Sequence, residues 1–148
     1  MEQPIKKPRN RAAGIVVKDG KILLMHRINN GAEYYVFPGG GIEKDEKPKE
    51  TTVREIQEET SIDVKVIRLL YELTREGGEH EYYYECEYVS GEPMLHEDTN
   101  EFRHMQLGSQ LYHPMWIALK DMPDLTIYPI EIKKKVIADT LHGNQNKN

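Results

Sequence analysis

Glu55, Glu58 and Glu59 stand at i, i+3 and i+4 in the run Arg54-Glu55-Ile56-Gln57-Glu58-Glu59, so on a helix their carboxylates share one face. Three like charges repel there. Two of them also fall in the last turn, where the helix dipole disfavours an anion by about 0.3–1 kcal/mol each. A bound cation is the natural compensation. Hard divalent ions such as Mg²⁺, with Mn²⁺ as a substitute, take oxygen ligands and are often completed by substrate phosphates rather than by a full protein cage. The preceding Gly39-Gly40-Gly41 has no Cβ to hold it away, so a backbone carbonyl, that of Gly40 for example, can approach and add a ligand. Arg54 can grip a carboxylate with two parallel hydrogen bonds and would orient Glu46 or a helix glutamate. Glu58-Glu59 taken alone reads as a solvated acidic face; the longer spacing has to carry the assignment.

The elements that must position this helix can be read on either side of it. Ala12 to Lys18 and Lys21 to Arg27 are apolar, β-branched runs joined by Asp19-Gly20, which suits a two-residue type I′ hairpin. Tyr34 to Phe37 reads as a short strand that stops at Pro38, and the three glycines after it, tolerant of positive φ, predict a loop. Pro48 suits a first helical position, and Lys49 to Thr60 contains neither Gly nor Pro, so a helix of three to four turns follows. Ile62 to Glu76 and Glu79 to Ser90 read as two longer strands. The stretch from Gly91 to Pro114 has turn formers and no period, which predicts a long connection. Met115 to Leu119 returns to the sheet, and Pro129 to Leu141 has the apolar spacing of a closing amphipathic helix. Hairpins mixed with helices in this order predict an α/β fold, a mixed sheet covered by helices on both sides. A glycine-rich dinucleotide fingerprint is absent.

The 148 residues suffice for one domain, expected over residues 11–142 between a basic tail at 1–10 and a polar tail at 143–148. A net charge of −5 argues against a protein that wraps a nucleic acid polymer, because such binding neutralises many phosphates with Lys and Arg. A small anionic substrate is compatible with that charge if metal ions supply the positive counterpart. Cys86, the single cysteine, allows no internal disulfide, which fits a reducing cytoplasm. No apolar run reaches membrane-spanning length, and the N-terminus lacks the core of a secretory signal.

From Gly40 the chain reads Gly40, five residues, Glu46, seven residues, then Arg54-Glu55-Ile56-Gln57-Glu58-Glu59-Thr60-Ser61-Ile62. This resembles the Nudix box, Gly-x5-Glu-x7-Arg-Glu-U-x-Glu-Glu-x-Gly-U with U aliphatic. A chance match at every fixed position before the final Gly is on the order of one in a million per start, so the solvated-face reading loses. Ser61 replaces the last glycine of the box, where a helix exit favours a residue free to adopt the left-handed conformation. That predicts a slight distortion of the exit. The resemblance implies a Nudix-like α/β/α sandwich and metal-dependent hydrolysis of a nucleoside diphosphate linked to another moiety. Glu55, Glu58 and Glu59 would be the metal carboxylates, with Gly39 or Gly40 offering a carbonyl, and Arg54 and Glu46 the supporting pair. Metals would neutralise the diphosphate and acidify a bound water, and one carboxylate, Glu55 or an acid from the long connection, would take its proton. The alternative is a Nudix module that senses nucleotides or binds protein without turnover. The implied partner is a small nucleotide-derived diphosphate and the implied assembly a monomer or homodimer.

Outside the box, Glu97 and Glu101, with His96 and Asp98, are candidates for a further ligand or base from the long connection. Arg27, at the end of a strand facing the glycines, and Arg11, at the domain's edge, are candidates for phosphate binding. The run Tyr82-Tyr83-Tyr84 could stack a base, but strand alternation sends such residues into the core, where Trp116 is also assigned. The six histidines show no zinc-ligand spacing.

Overall fold

The computed structural model describes residues 9–94 and 110–142. Eight strands and two helices follow in order: β1 Arg11–Lys18, β2 Lys21–Asn29, β3 Ala32–Val36, β4 Gly39–Gly41, α1 Pro48–Thr60, β5 Asp63–Thr74, β6 His80–Ser90, β7 Gln110–Ala118, β8 Ile127–Tyr128 and α2 Ile130–Ile137. A 3₁₀ turn at Leu119–Asp124 precedes β8, and a π-helical turn at Ala138–His142 ends the described chain. Among the described residues no helix is long and apolar enough to cross a membrane.

The predicted hairpin forms, with Asp19 at φ 52° and Gly20 at φ 76°, both left-handed as a type I′ turn requires. Its two strands pair for only two rungs, Val17 with Ile22 and Lys18 with Lys21. They then part, and the sheet opens into two halves. In one, β1 lies between β4, antiparallel, and β6, parallel, with β5 outside β6. In the other, β2 lies between β3 and β7, both antiparallel, and β8 adds parallel to β3. The mixed sheet of the α/β prediction is therefore present, and the cleft between its halves is where the site lies.

Both faces of the central strands are covered, which is why Ile22-Leu23-Leu24-Met25 is a continuous apolar run with every residue buried. Ala13, Ile15, Ile22, Leu24, Phe37 and Tyr83 pack with Ile132 and Val136 of α2. Val16, Leu23, Tyr84 and Cys86 turn the other way, onto Ile56 of α1. Trp116 is only partly buried at the margin of that second cluster, its ring edge-on to Tyr88.

Four expectations change. Gly39–Gly41 is a strand rather than a loop, paired with Arg11–Ala13, and none of the three adopts positive φ. Their glycines serve close approach instead: a Cβ on Gly39 would overlap the backbone of Ala12 and Ala13. Part of the expected connection is strand, since β7 begins at Gln110 and pairs along the whole of β2; Pro114 reads as a break in sequence, yet a strand paired on one side only accepts it. The regular closing helix stops at Ile137, with the π turn in place of its last turn. Finally, Ser61 leaves the helix exit undistorted. It adopts the left-handed conformation itself, φ 66° and ψ 15°, its N–H donates to Gln57 O, and its hydroxyl donates to Met94 O at 2.8 Å.

Candidate active site

Helix α1 starts at Pro48, and the Lys47 N–H beneath it donates to Glu50 Oε1 at 2.9 Å. It is held against β1, β4 and β5, with Ile56 and Thr52 buried, so the Glu55–Glu59 edge is directed at the glycine strand. Gly39 N–H donates to Glu59 Oε2 at 3.1 Å. A Cβ on Gly40 would occupy the space of the Glu55 carboxyl group, so glycine at 40 is what lets that side chain lie against β4.

Arg54 ties the acidic residues together. Its Nε and Nη2 donate to the two Glu46 oxygens at 2.7 and 3.0 Å, a bidentate pair, and Nη1 donates to Glu55 at 3.0 Å and to Glu58 at 3.2 Å. Glu46 also accepts from the Thr51 hydroxyl at 2.7 Å. These contacts, Arg54 first, hold the Glu46 carboxyl down at about 2, while the surrounding carboxylates keep Arg54 firmly charged. Glu55 and Glu59 behave oppositely. Burial pushes Glu55 up despite Arg54 beside it. Burial, then the Glu55 charge, pushes Glu59 up to about 8, against hydrogen bonds from Tyr112 and Gly39 and the more distant charge of Arg11.

Both carboxylates line a cavity of about 450 Å³ in the cleft between the half-sheets, together with Gly40, Arg11, Arg27 and Tyr112. The Arg27 guanidinium lies 4.9 Å from the Tyr112 ring and 5.7 Å from that of Tyr34. Its Nε is the one buried side-chain nitrogen or oxygen among the described residues without a hydrogen-bond partner. No ion pair found among the described residues joins Arg11 or Arg27 to Glu55 or Glu59. Glu59 thus has no ion-pair partner among the described residues, whereas Glu55 has Arg54.

Glu55, Glu59, Gly40, Arg11 and Arg27 therefore meet in one cavity, Glu46 and Arg54 flank it, and Glu58 points toward Arg54 with its side chain half exposed. Glu97 and Glu101, with His96 and Asp98, lie outside the described residues. The glutamates fit a divalent cation in donor chemistry, being all oxygen, and in electrostatics, because burial raises both Glu55 and Glu59 and the neighbouring charges of Glu58 on Glu55 and of Glu55 on Glu59 add to it. As the side chains stand, the described residues do not bring three ligating groups to one point. Of the residues lining the cavity, Tyr112, Arg75, Glu81 and Tyr83 carry polar groups that motif and spacing did not single out for this site. Tyr83 is in the core as expected, yet its hydroxyl reaches the cavity wall. Only the placement of β6 beside β1 could reveal the last three.

An α/β fold split around a cleft, with this helix and glycine strand at its floor, is the Nudix architecture. A NUDIX domain model matches residues 8–137, and the chain belongs to that family. Among curated relatives it is 48% identical over 58 residues to an ADP-ribose pyrophosphatase of Methanocaldococcus jannaschii, a match covering 38% of this chain and 34% of that protein. It is 36% identical over 63 residues to an RNA pyrophosphohydrolase of Pelagibacter ubique, covering 41% and 40%. The matched stretches thus span less than half of either relative. Over nearly full length the structure resembles a MutT NUDIX hydrolase of Burkholderia pseudomallei, with TM-score 0.61, 27% identity, and coverage of 88% of this chain and 98% of that one.

Proposed function

We propose that the protein is a divalent-metal-dependent pyrophosphohydrolase acting on a mononucleotide-sized diphosphate. The observation that carries this is the meeting in one cavity of Glu55 and Glu59, both raised by burial, with two guanidiniums, Arg11 and Arg27, that no ion pair among the described residues joins to either carboxylate. Such a site holds a cation and a polyanion together better than either alone. The volume of about 450 Å³ suits one nucleotide, and the family and the pyrophosphatase relatives point to the same chemistry.

Glu55 and Glu59 would hold the metal, Mg²⁺ or Mn²⁺, beside Gly40, with Glu58 joining by releasing its contact to Arg54. When bound, the cation supplies positive charge against the diphosphate and lowers the pKa of the attacking water. Arg54 and Glu46 fix the helix edge, since a bidentate guanidinium holds Glu55 in place while its other face is anchored. Arg27 donates its free Nε–H to a phosphate oxygen, and Arg11 faces the same anion from β1. Glu55, or an acid from the long connection, would take the proton of the attacking water.

The test is product release from nucleoside triphosphates, ADP-ribose, nucleotide sugars and dinucleotides, with Mg²⁺, with Mn²⁺ and with chelator, on the wild type and Glu59→Gln. Metal-dependent turnover lost in the variant is expected. Nucleotide binding without turnover anywhere in the panel would refute the reading in favour of a sensing module.

A further inference from the structure

One wall of the cavity carries a buried carboxylate paired with a guanidinium, Glu81 with Arg75. Among the described residues, Glu81 is the least solvent-exposed Asp, Glu, Lys, Arg or His, 6% exposed. It sits near the start of β6 on the face shared with Tyr83, while Tyr82 and Tyr84 face the other layer. Removing a carboxylate from water costs several kcal/mol unless it is paired, and an apolar side chain would serve the core at that position without the cost. The pairing is specific. The Tyr83 hydroxyl donates to Oε1 at 2.6 Å, and Arg75 Nε and Nη2 donate to Oε2 at 3.1 Å and Oε1 at 3.4 Å. Arg75 is itself tied into the β5–β6 turn, its N–H donating to Glu79 O at 2.8 Å.

The register of β1 against β6 sets Arg11 beside Glu81, and the Arg11 charge reaches Tyr83 on this wall as well as Glu55 and Glu59. The cavity is thereby divided. The phosphate chain belongs on the side of Arg11 and Arg27, which no ion pair among the described residues joins to Glu55 or Glu59, whereas Arg75 on the other wall is taken up by Glu81. With Arg75 across both oxygens, Glu81 is also a poor cation ligand. A carboxylate offers roughly four lone-pair positions, and three are filled by Tyr83 and Arg75. What remains is an acceptor on a cavity wall.

We infer that Glu81, held by Tyr83 and Arg75, determines specificity by accepting a hydrogen bond from an N–H or O–H on the nucleoside joined to the diphosphate. The inference rests on the pyrophosphohydrolase reading for the orientation of the ligand. The donor is either a base amine or a sugar hydroxyl, and a site built to accept such a bond rejects an analogue lacking it far more strongly than an apolar pocket would.

Three matched pairs separate the two sources. CTP against UTP and ATP against ITP exchange a base amine for a carbonyl, and CTP against dCTP removes a sugar hydroxyl. Dissociation constants are measured by calorimetry with Ca²⁺, alongside kcat/KM with Mg²⁺, on wild type, Glu81→Gln and Tyr83→Phe. The wild type is expected to bind the donor-bearing member at least about tenfold more tightly in either the base pairs or the sugar pair. Glu81→Gln should shrink that ratio to within about threefold, because an amide can turn to offer its own N–H to a carbonyl. Tyr83→Phe, which leaves the carboxylate less firmly held, should give an intermediate ratio and carries the test if Glu81→Gln does not fold. Equal binding of all pairs by the wild type, or a ratio unchanged in both variants, would overturn the inference. Discrimination in binding with no turnover of any nucleotide would refute the hydrolase reading and leave the role of Glu81 standing.

Discussion

Replacing Glu59 by Gln should stabilise the metal-free protein while abolishing its activity. The folded state holds the Glu59 carboxyl at about 8, whereas in the unfolded chain it ionises near 4.5. Between those values the folded protein binds the extra proton, so stability declines as pH rises through that window. At about 1.36 kcal/mol per pH unit the full displacement sets an upper limit of roughly 5 kcal/mol. Solvent in the cavity screens the charge, which reduces the expected penalty to about 2 kcal/mol at pH 8.5. Gln keeps an acceptor for Gly39 N–H and removes the charge that opposes Glu55. In excess chelator at pH 8.5 the variant should therefore melt about 4–8 °C above wild type, at about 2–4 °C per kcal/mol for a chain of this size. At pH 4, below both values, the difference should vanish. Mg²⁺ at pH 8.5 should raise the wild-type midpoint and leave the variant nearly unmoved. Scanning calorimetry with and without metal reads all three. A variant no more stable than wild type at pH 8.5, or an advantage equal at both pH values, would refute the assignment of Glu59 as an undercompensated buried acid.

The remaining predictions concern the geometry around it. Arg54→Lys loses the bidentate grip on Glu46 and the reach to Glu55 and Glu58. It should destabilise by about 1–3 kcal/mol in a denaturant titration and lower kcat more than tenfold. Gly40→Ala displaces the Glu55 carboxyl, the mobile end of a side chain, and should cost activity with a small change in stability; Gly39→Ala meets the backbone of β1 and should cost about 1–3 kcal/mol whatever happens to turnover. Thermal melts and initial rates on the two variants would show whether the effects separate in this way. At Ser61, Ala loses the bond to Met94 O and retains the left-handed strain, for about 1 kcal/mol of destabilisation, while Gly trades the bond for relief of that strain and should lie within about 1 kcal/mol of wild type. Equal melting points for Ala and Gly would contradict this.

Local rules made much of the architecture legible in the string. Asp19-Gly20 specified a type I′ turn because few other residue pairs accept two positive φ angles, and Pro48 specified the start of α1 because a first helical residue needs no N–H donor. The spacing of Glu46, Arg54, Glu55, Glu58 and Glu59 placed the acids on one edge of that helix because helical geometry is periodic. Gly39–Gly41 has the sequence of a loop and the structure of a strand, because a glycine required for close approach looks the same in sequence as one required for a turn.

Tertiary structure alone decided what those acids face. The hairpin strands part after two rungs, so Arg11 on β1 and Arg27 on β2 end up on opposite half-sheets around one cleft. The parallel pairing of β1 with β6 then adds Glu81 and Tyr83, about 70 residues distant in the chain, to the same wall. Strand register between distant segments is set by which faces can be buried together, a property of the packed sheet rather than of any local stretch. The sequence by itself therefore determined the cluster of carboxylates on offer, and the packing of the half-sheets determined which side chains meet it in the cavity.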